Sequence, residues 1–216
     1  MRIHDDRYTR ERLRFHVALH FLRLEARTQT IRRWTGLTDD RIRKLYRSYL
    51  ADEDRPLPRH RGKSPHRAAL FLRSPRARRE TALLASLCRL LGALPQQREP
   101  APALSLPSLG RAQLLCQAYE MYRGLVPEAL LTFEHAVFLL SMLVQGAELV
   151  CGDCRDCHAL VVVDRWALAP ARCELCGAAA DRPERTAAPW TAPAVPAAAA
   201  RDGLAATARG CNTARR

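Results

Sequence analysis

Apolar residues recur at helical intervals through most of the first 148 residues of the chain. Between positions 11 and 26, Leu13, Val17, Phe21 and Leu24 repeat at steps of four, four and three. These steps keep the four side chains on one face of an α-helix, so the pattern predicts an amphipathic helix over 11–26. The same periodicity predicts three further helices, over 75–91, 109–124 and 127–147.

The segment 28–50 has the pattern of two short helices joined by a turn. A helix over 28–34 would end near Gly36, where a left-handed backbone conformation is expected. Thr38 is a good N-cap for a second helix, from Asp39 to about Leu50. This arrangement is typical of a helix-turn-helix, whose second helix lies in the major groove of DNA.

The second of these helices has an apolar face and a basic face. Its inward residues are predicted to be Ile42, Leu45, Tyr46 and Tyr49. The candidate DNA-contacting residues are Thr38 at its start, Arg41 toward the DNA backbone, and Arg43, Lys44 and Arg47 on the outward face. An ordinary helical hairpin with a solvated basic face is the alternative interpretation of the same pattern.

Positive charge is concentrated at the N-terminal end of the 216-residue chain. The formal net charge is +13, and residues 1–80 contain 22 Lys and Arg against 10 Asp and Glu. Residues 81–216 are nearly neutral, with 13 against 12. The preference for arginine over lysine is typical of a GC-rich genome, but that bias does not explain the unbalanced first 80 residues. A local basic excess favours a polyanionic partner such as duplex DNA.

Composition divides the chain into three parts and predicts a mainly α fold. Residues 1–148 form a helical region, interrupted by a linker over 52–67 that is rich in proline and charge. A cysteine-rich, zinc-ribbon-like segment follows over 149–178, and the Ala- and Pro-rich tail over 179–216 is predicted to be disordered. The longest apolar run, over 136–144, is too short to span a bilayer, so we expect a soluble, cytoplasmic protein without membrane attachment.

Cysteine spacing predicts a metal site. In a cytoplasmic protein, eight cysteines indicate metal binding rather than disulfides. Two registers fit a pair of Cys-x-x-Cys turns: Cys154 and Cys157, or Cys151 and Cys154, each combined with Cys173 and Cys176. Four thiolates would fill the tetrahedron around one Zn²⁺ and leave no open position, so the site should be structural. A short strand is predicted between the pairs, over 159–164.

Other candidate residues have simpler interpretations. His16 and His20 have a spacing that can bind metal, but no third ligand lies nearby in the sequence, and a helix surface is expected. Cys88 and Cys116 lie in apolar helical patterns and are expected in the core. His158 is a weak candidate as a substitute zinc ligand. Since no nucleophile–base set or phosphate-binding loop is present, we do not expect an enzyme.

Several segments, in the same order, resemble the FlhC family of flagellar transcriptional activators of proteobacteria. The similarity covers about residues 10–178, and its most specific parts are RIRKLY, QAYEMY and the pairs CRDC and CELC. The resemblance implies zinc ligands at Cys154, Cys157, Cys173 and Cys176. Cys151 is additional to the family's pattern, and the tail has no counterpart in it.

The resemblance also implies a function. Members of this family assemble with an FlhD-type partner into a hetero-oligomer that binds upstream of flagellar promoters and activates transcription by RNA polymerase. One alternative is a zinc-stabilised protein-interaction scaffold without direct readout of DNA sequence. A second alternative is an RNA-binding zinc-ribbon protein, but the chain has few of the aromatic residues that stack on single-stranded bases.

Overall fold

Helices dominate the described part of the chain, as the apolar spacing predicts. The computed structural model describes residues 3–51, 64–95, 107–168 and 170–180. Most of the predicted linker over 52–67, residues 181–216 of the predicted tail, and Cys211 lie outside these ranges. In chain order the elements are α1 Ile3–Arg23, α2 Thr28–Thr35, α3 Asp39–Tyr49, α4 Ala69–Leu72, α5 Pro75–Leu90, α6 Leu109–Leu125, α7 Phe133–Gln145, β1 Leu149–Asp153, β2 Leu160–Asp164 and α8 Glu174–Ala180. None of the described helices is both long and apolar enough to cross a membrane.

Helix α1 is longer at its start than its apolar pattern predicts. It begins at Ile3 rather than near residue 11. Residues 7–10 of this extension are exposed, and a helical segment needs no apolar face to complete its backbone hydrogen bonds. Val17 and Phe21 are fully buried, as predicted. The helix ends at Arg23, three residues early, where Glu25 adopts a φ of 62° and the Ala26 N–H closes back onto the Phe21 carbonyl at 2.9 Å.

The two short helices α2 and α3 confirm the predicted turn chemistry. Gly36 ends α2 with a φ of 71°, and the Thr38 hydroxyl accepts from the Arg41 N–H at the start of α3. Ile42 and Leu45 are buried, but the prediction for Tyr49 is wrong, since 62% of it is exposed. Tyr49 is the last residue of α3, and the following Leu50 is the fully buried residue at this end of the helix.

The connection between α6 and α7 differs most from the prediction. Helix α7 begins at Phe133, not at residue 127, with the Thr132 side chain and His135 forming a reciprocal cap. The preceding residues are held by a buried carboxylate on α5: Glu80 accepts from the Leu130 N–H at 2.8 Å and from the Tyr122 hydroxyl. These contacts keep the segment out of the helix, although its sequence permits one.

An aromatic cluster joins α1, α2, α6 and α7 in the core. The ring of Phe133 lies 4.9 Å from Phe21 and 5.3 Å from Tyr119, with edge-to-face geometry in both pairs. Trp34 of α2 packs on the other side of Phe21, with 6.1 Å between ring centroids. Cys88 and Cys116 are buried in the surrounding core, as predicted.

A two-stranded hairpin packs on α5 and carries the cysteines. Strands β1 and β2 are antiparallel, with Leu149 opposite Asp164 and Cys151 opposite Val162. The predicted strand over 159–164 corresponds to β2, whereas β1 and α8 were not predicted. The described residues, the hairpin included, pack as one compact unit.

Replacing Glu80 by glutamine should destabilise the fold at neutral pH. Burial opposes ionisation of this side chain, but hydrogen bonds from Tyr122, Arg76 and Leu130 outweigh burial and lower its pKa. The folded state therefore favours the carboxylate. Its contribution is complete above the usual carboxyl pKa and is lost as the pH falls through the lower pKa of the folded state.

We expect Glu80→Gln to lower the free energy of unfolding by about 2–4 kcal/mol at pH 7, because a buried hydrogen-bond network loses its negative charge and one of its two acceptor oxygens. In urea titrations, the difference in free energy of unfolding between the variant and the unmodified chain should become smaller as the pH is lowered. The exposed Glu148→Gln is the matched control and should have little effect. Equal stability of Glu80→Gln and Glu148→Gln at pH 7 would contradict the assigned role.

Candidate functional site

Four cysteine sulfurs converge at the end of the hairpin. The Sγ atoms of Cys154, Cys157, Cys173 and Cys176 all lie within 4.8 Å of one another, and those of Cys157 and Cys173 are 3.6 Å apart. A regular tetrahedron of sulfurs around Zn²⁺ has S–S separations of about 3.8 Å, given Zn–S bonds near 2.3 Å. The four sulfurs are therefore close enough to coordinate one metal ion.

Backbone hydrogen bonds shape the turn that carries the first cysteine pair. The Cys154 N–H donates to the Ala159 carbonyl at 2.8 Å, and the His158 N–H donates back to the Cys154 carbonyl at 2.9 Å. His158 adopts a φ of 58°, a left-handed conformation that reverses the chain after Cys157. His158 is thus the turn residue of this knuckle.

The second pair joins the first through backbone contacts. The Arg155 N–H donates to the Ala171 carbonyl at 2.9 Å, and the Arg172 guanidinium lies 3.2 Å from the Asp156 carboxylate. The Cys173 N–H then donates to the Cys154 sulfur at 3.2 Å. These links bring sulfurs from opposite sides of the hairpin together, although 15 residues separate the pairs in the sequence.

Hydrogen bonds shift the pKa values of two of the clustered thiols in opposite directions. Backbone N–H groups of Cys173, Cys157 and Asp156 lower the pKa of the Cys154 thiol to about 6. The Cys176 thiol is hydrogen-bonded to the sulfurs of Cys173 and Cys157, which raises its pKa to about 12. A divalent cation would compensate the repulsion among several thiolates and release their protons. The donor set and its hydrogen bonds therefore fit a cation that prefers sulfur.

Cys151 lies on the opposite face of the hairpin from this cluster. Side chains alternate along a strand, so Cys151 shares the face of buried Leu149 and packs against the core. Burial raises its pKa, while the neighbouring Arg89 acts in the opposite direction. Spacing alone permits Cys151 as a ligand, but the structure groups the other four cysteines.

The histidine pair on α1 does not form a metal site. His20 Nε2 lies 2.6 Å from a carboxylate oxygen of Glu120, and the rings of His16 and His20 are 6.3 Å apart. Within the described ranges, the four cysteines are the only cluster of three or more side chains suited to hold a metal ion.

The basic residues predicted on α3 are exposed but not equivalent. Arg43, Lys44 and Arg47 are exposed on the side opposite Ile42 and Leu45. The Arg43 guanidinium lies 3.0 Å from the carboxylate of Asp40, one helical turn earlier, and both side chains are exposed. In the described part of the chain, Lys44 and Arg47 have no acidic partner within 4.0 Å.

Two other predicted contact residues have partners inside the protein. Arg41 lies 2.6 Å from the Glu11 carboxylate of α1, and its guanidinium covers the Phe15 ring at 4.8 Å. The Thr38 hydroxyl is the N-cap of α3 and accepts from the Arg41 N–H at 3.4 Å. The sequence could not distinguish these residues from the free basic residues, because their partners lie on another helix or on the backbone.

No protein-family model matches the sequence, and no curated protein matches it significantly.

Serine substitution should separate the four clustered cysteines from Cys151. Cys154→Ser, Cys157→Ser, Cys173→Ser and Cys176→Ser each remove one thiolate, so metal content of the full chain should fall from about one ion per chain to a small fraction of that. Cys151→Ser is the matched control and should retain the ion. Inductively coupled plasma mass spectrometry measures the outcome. Loss of the ion in Cys151→Ser, with retention in Cys157→Ser, would make the four-sulfur assignment wrong.

Proposed function

We propose that this chain is a DNA-binding subunit of a transcriptional activator of the FlhC type. The observation that carries the proposal is the exposed basic face of α3, formed by Arg43, Lys44 and Arg47. This face lies opposite the buried Ile42 and Leu45, so the core holds the helix while the cations extend into solvent. A helix presented in this way, after a short turn, suits the major groove of duplex DNA.

The charge state of this face favours phosphate contacts. Lys44 and Arg47 are not neutralised by acidic neighbours in the described part of the chain. The Arg43–Asp40 pair is exposed, and exposed pairs contribute little, so a phosphate can replace Asp40. Asp39 and Asp40 lie in the first turn of α3, where their negative charges interact favourably with the helix dipole.

Arg41 has a positioning role in this proposal. Its contacts with Glu11 and Phe15 attach the start of α3 to α1, which sets the angle at which α3 approaches DNA. Thr38 caps the same end of the helix. Both residues therefore act through the placement of α3 and not as free cations.

The four-cysteine cluster would hold one structural Zn²⁺ in this proposal. Zn²⁺ suits four thiolates in tetrahedral geometry, and four protein ligands leave no position for a substrate. The ion would fold a hairpin segment that is too small to have a core of its own. No catalytic role is proposed.

The resemblance to FlhC supplies the partner and the promoter class. We propose a hetero-oligomer with an FlhD-type protein that binds upstream of flagellar promoters and recruits RNA polymerase in the cytoplasm. Exposed apolar side chains offer contact area for a partner: 75% of Trp166, all of Leu168 and 62% of Leu125 are accessible. The same residues would serve the second candidate function, a zinc-stabilised scaffold that does not read DNA sequence.

Neutralising the basic face of α3 should abolish promoter binding and leave partner binding intact. We expect the triple variant Arg43→Gln, Lys44→Gln, Arg47→Gln to bind a flagellar promoter fragment at least about tenfold more weakly near physiological salt. The slope of log K against log salt should fall by up to about 3, one for each lost phosphate contact. Fluorescence anisotropy of the chain in complex with its partner, over a salt series, measures both quantities.

A matched control removes the same charge elsewhere. Arg79→Gln, Arg123→Gln and Arg155→Gln together also remove three exposed arginines and should change binding far less. Equal losses in the two triple variants would mean that only net charge matters. Unchanged promoter binding in the α3 variant would favour the scaffold function.

A further inference from the structure

A cavity of about 700 Å³ lies where the end of α1, residues 64–70, the C-terminal half of α6 and the start of α7 meet. Its volume is within the range of small-molecule binding sites. Leu24, Leu70 and Tyr119 contribute apolar wall, whereas Arg23 and Arg67 line it with guanidinium groups. The cavity thus combines an apolar surface with cationic groups, the composition that suits an amphiphilic anion.

The carboxylates that line the cavity already have partners. Glu134 accepts from the Arg27 N–H at 2.8 Å and from the Thr30 hydroxyl at 2.9 Å. Glu120 lies 2.6 Å from His20. The third lining carboxylate, that of Glu25, also interacts with other groups of the protein.

Two of the lining cations differ from these carboxylates. Within the described ranges, neither Arg23 nor Arg67 has an acidic partner within 4.0 Å, and both are exposed. The lining carboxylates therefore already have interaction partners within the protein, whereas the guanidinium groups of Arg23 and Arg67 have no acidic partner among the described residues.

His135 also lines the cavity. Burial lowers its pKa most, the charges of Arg73 and Arg27 lower it further, and Glu134 opposes them. His135 is consequently neutral near pH 7. Binding of an anion would therefore rest on the arginines and would not require a protonated imidazole.

We infer that this cavity binds a small organic anion. Arg23 and Arg67 hold its carboxylate or phosphate, and its apolar part lies against Leu24, Leu70 and Tyr119. Arginine suits this role because its planar guanidinium can donate two parallel hydrogen bonds to either anionic group. The inference is independent of the DNA-binding proposal, since the residues involved do not lie on α3.

Calorimetric titration of the full, metal-loaded chain with phenyl phosphate tests the inference. We expect one saturable site that binds phenyl phosphate at least about tenfold more tightly than inorganic phosphate, because the ring gains apolar contact. Benzyl alcohol, which lacks the charge, should give no measurable binding. Benzoate should also bind, if both anionic groups are accepted.

Arginine variants test the location of the site. The double variant Arg23→Gln, Arg67→Gln should weaken phenyl phosphate binding at least about tenfold. Arg43→Gln, Arg47→Gln removes the same charge from α3 and should leave binding unchanged. If the first double variant melts at a lower temperature than the unmodified chain, Arg67→Gln alone replaces it.

Three results would overturn the inference. The first is equal binding of phenyl phosphate and inorganic phosphate, which would indicate unspecific attraction to a basic protein. The second is equal weakening by both double variants. The third is saturable binding of a hexaglutamate peptide without any binding of phenyl phosphate, which would indicate an acidic protein partner.

Discussion

The carboxylate of Glu80, buried between α5 and α6, determines where α7 begins. The position of α2 and α3 in turn depends on α7. Glu80 accepts from the Leu130 N–H and the Tyr122 hydroxyl, which keeps the residues before α7 out of the helix. Because α7 starts at Phe133, the next residue, Glu134, lies at the N-terminus of α2. Its carboxylate accepts there from the Arg27 N–H and the Thr30 hydroxyl. Burying a carboxylate costs free energy unless its oxygens accept hydrogen bonds. The positions of the donor groups around Glu80 and Glu134 are therefore closely constrained.

The four-cysteine cluster depends on α5, the helix that carries Glu80. Strand β2 packs on α5, and an ion pair from Arg78 of α5 to Glu174 at the start of α8 ties the second cysteine pair to the body. The strand alternation of β1 turns Cys151 toward the core, and the turn after β1 brings Cys154 to the cluster. The cysteine segment is therefore built on the helical body, and a bound ion would stabilise both.

Some cations of the N-terminal helices contact other parts of the protein, and others extend into solvent. Arg41 is engaged by Glu11 and Phe15 of α1, whereas Lys44 and Arg47 extend from the opposite side of α3. Such a division suits the proposed DNA-binding role of α3, because the paired cation orients the helix. The cations without an acidic partner in the described part of the chain would gain most from phosphate. The cavity beside α1 and α7 has a related arrangement, in which the lining carboxylates have partners and two guanidinium groups, those of Arg23 and Arg67, have no acidic partner within the described ranges.

Local interactions made part of this structure predictable from the sequence. Gly36 and Thr38 act within their own turn, so the boundary between α2 and α3 could be predicted. The Cys-x-x-Cys spacing predicted the segment in which four sulfurs converge. Contacts between distant residues decided the rest. The start of α7 depends on Glu80, some 50 residues earlier in the chain, and the separation of Cys151 from the cluster depends on the pairing of β1 with β2 and on α5. The sequence by itself thus determined most of the helices and the cysteine donor atoms. Tertiary packing decided the start of α7 and which donors meet, because these residues become neighbours only after folding.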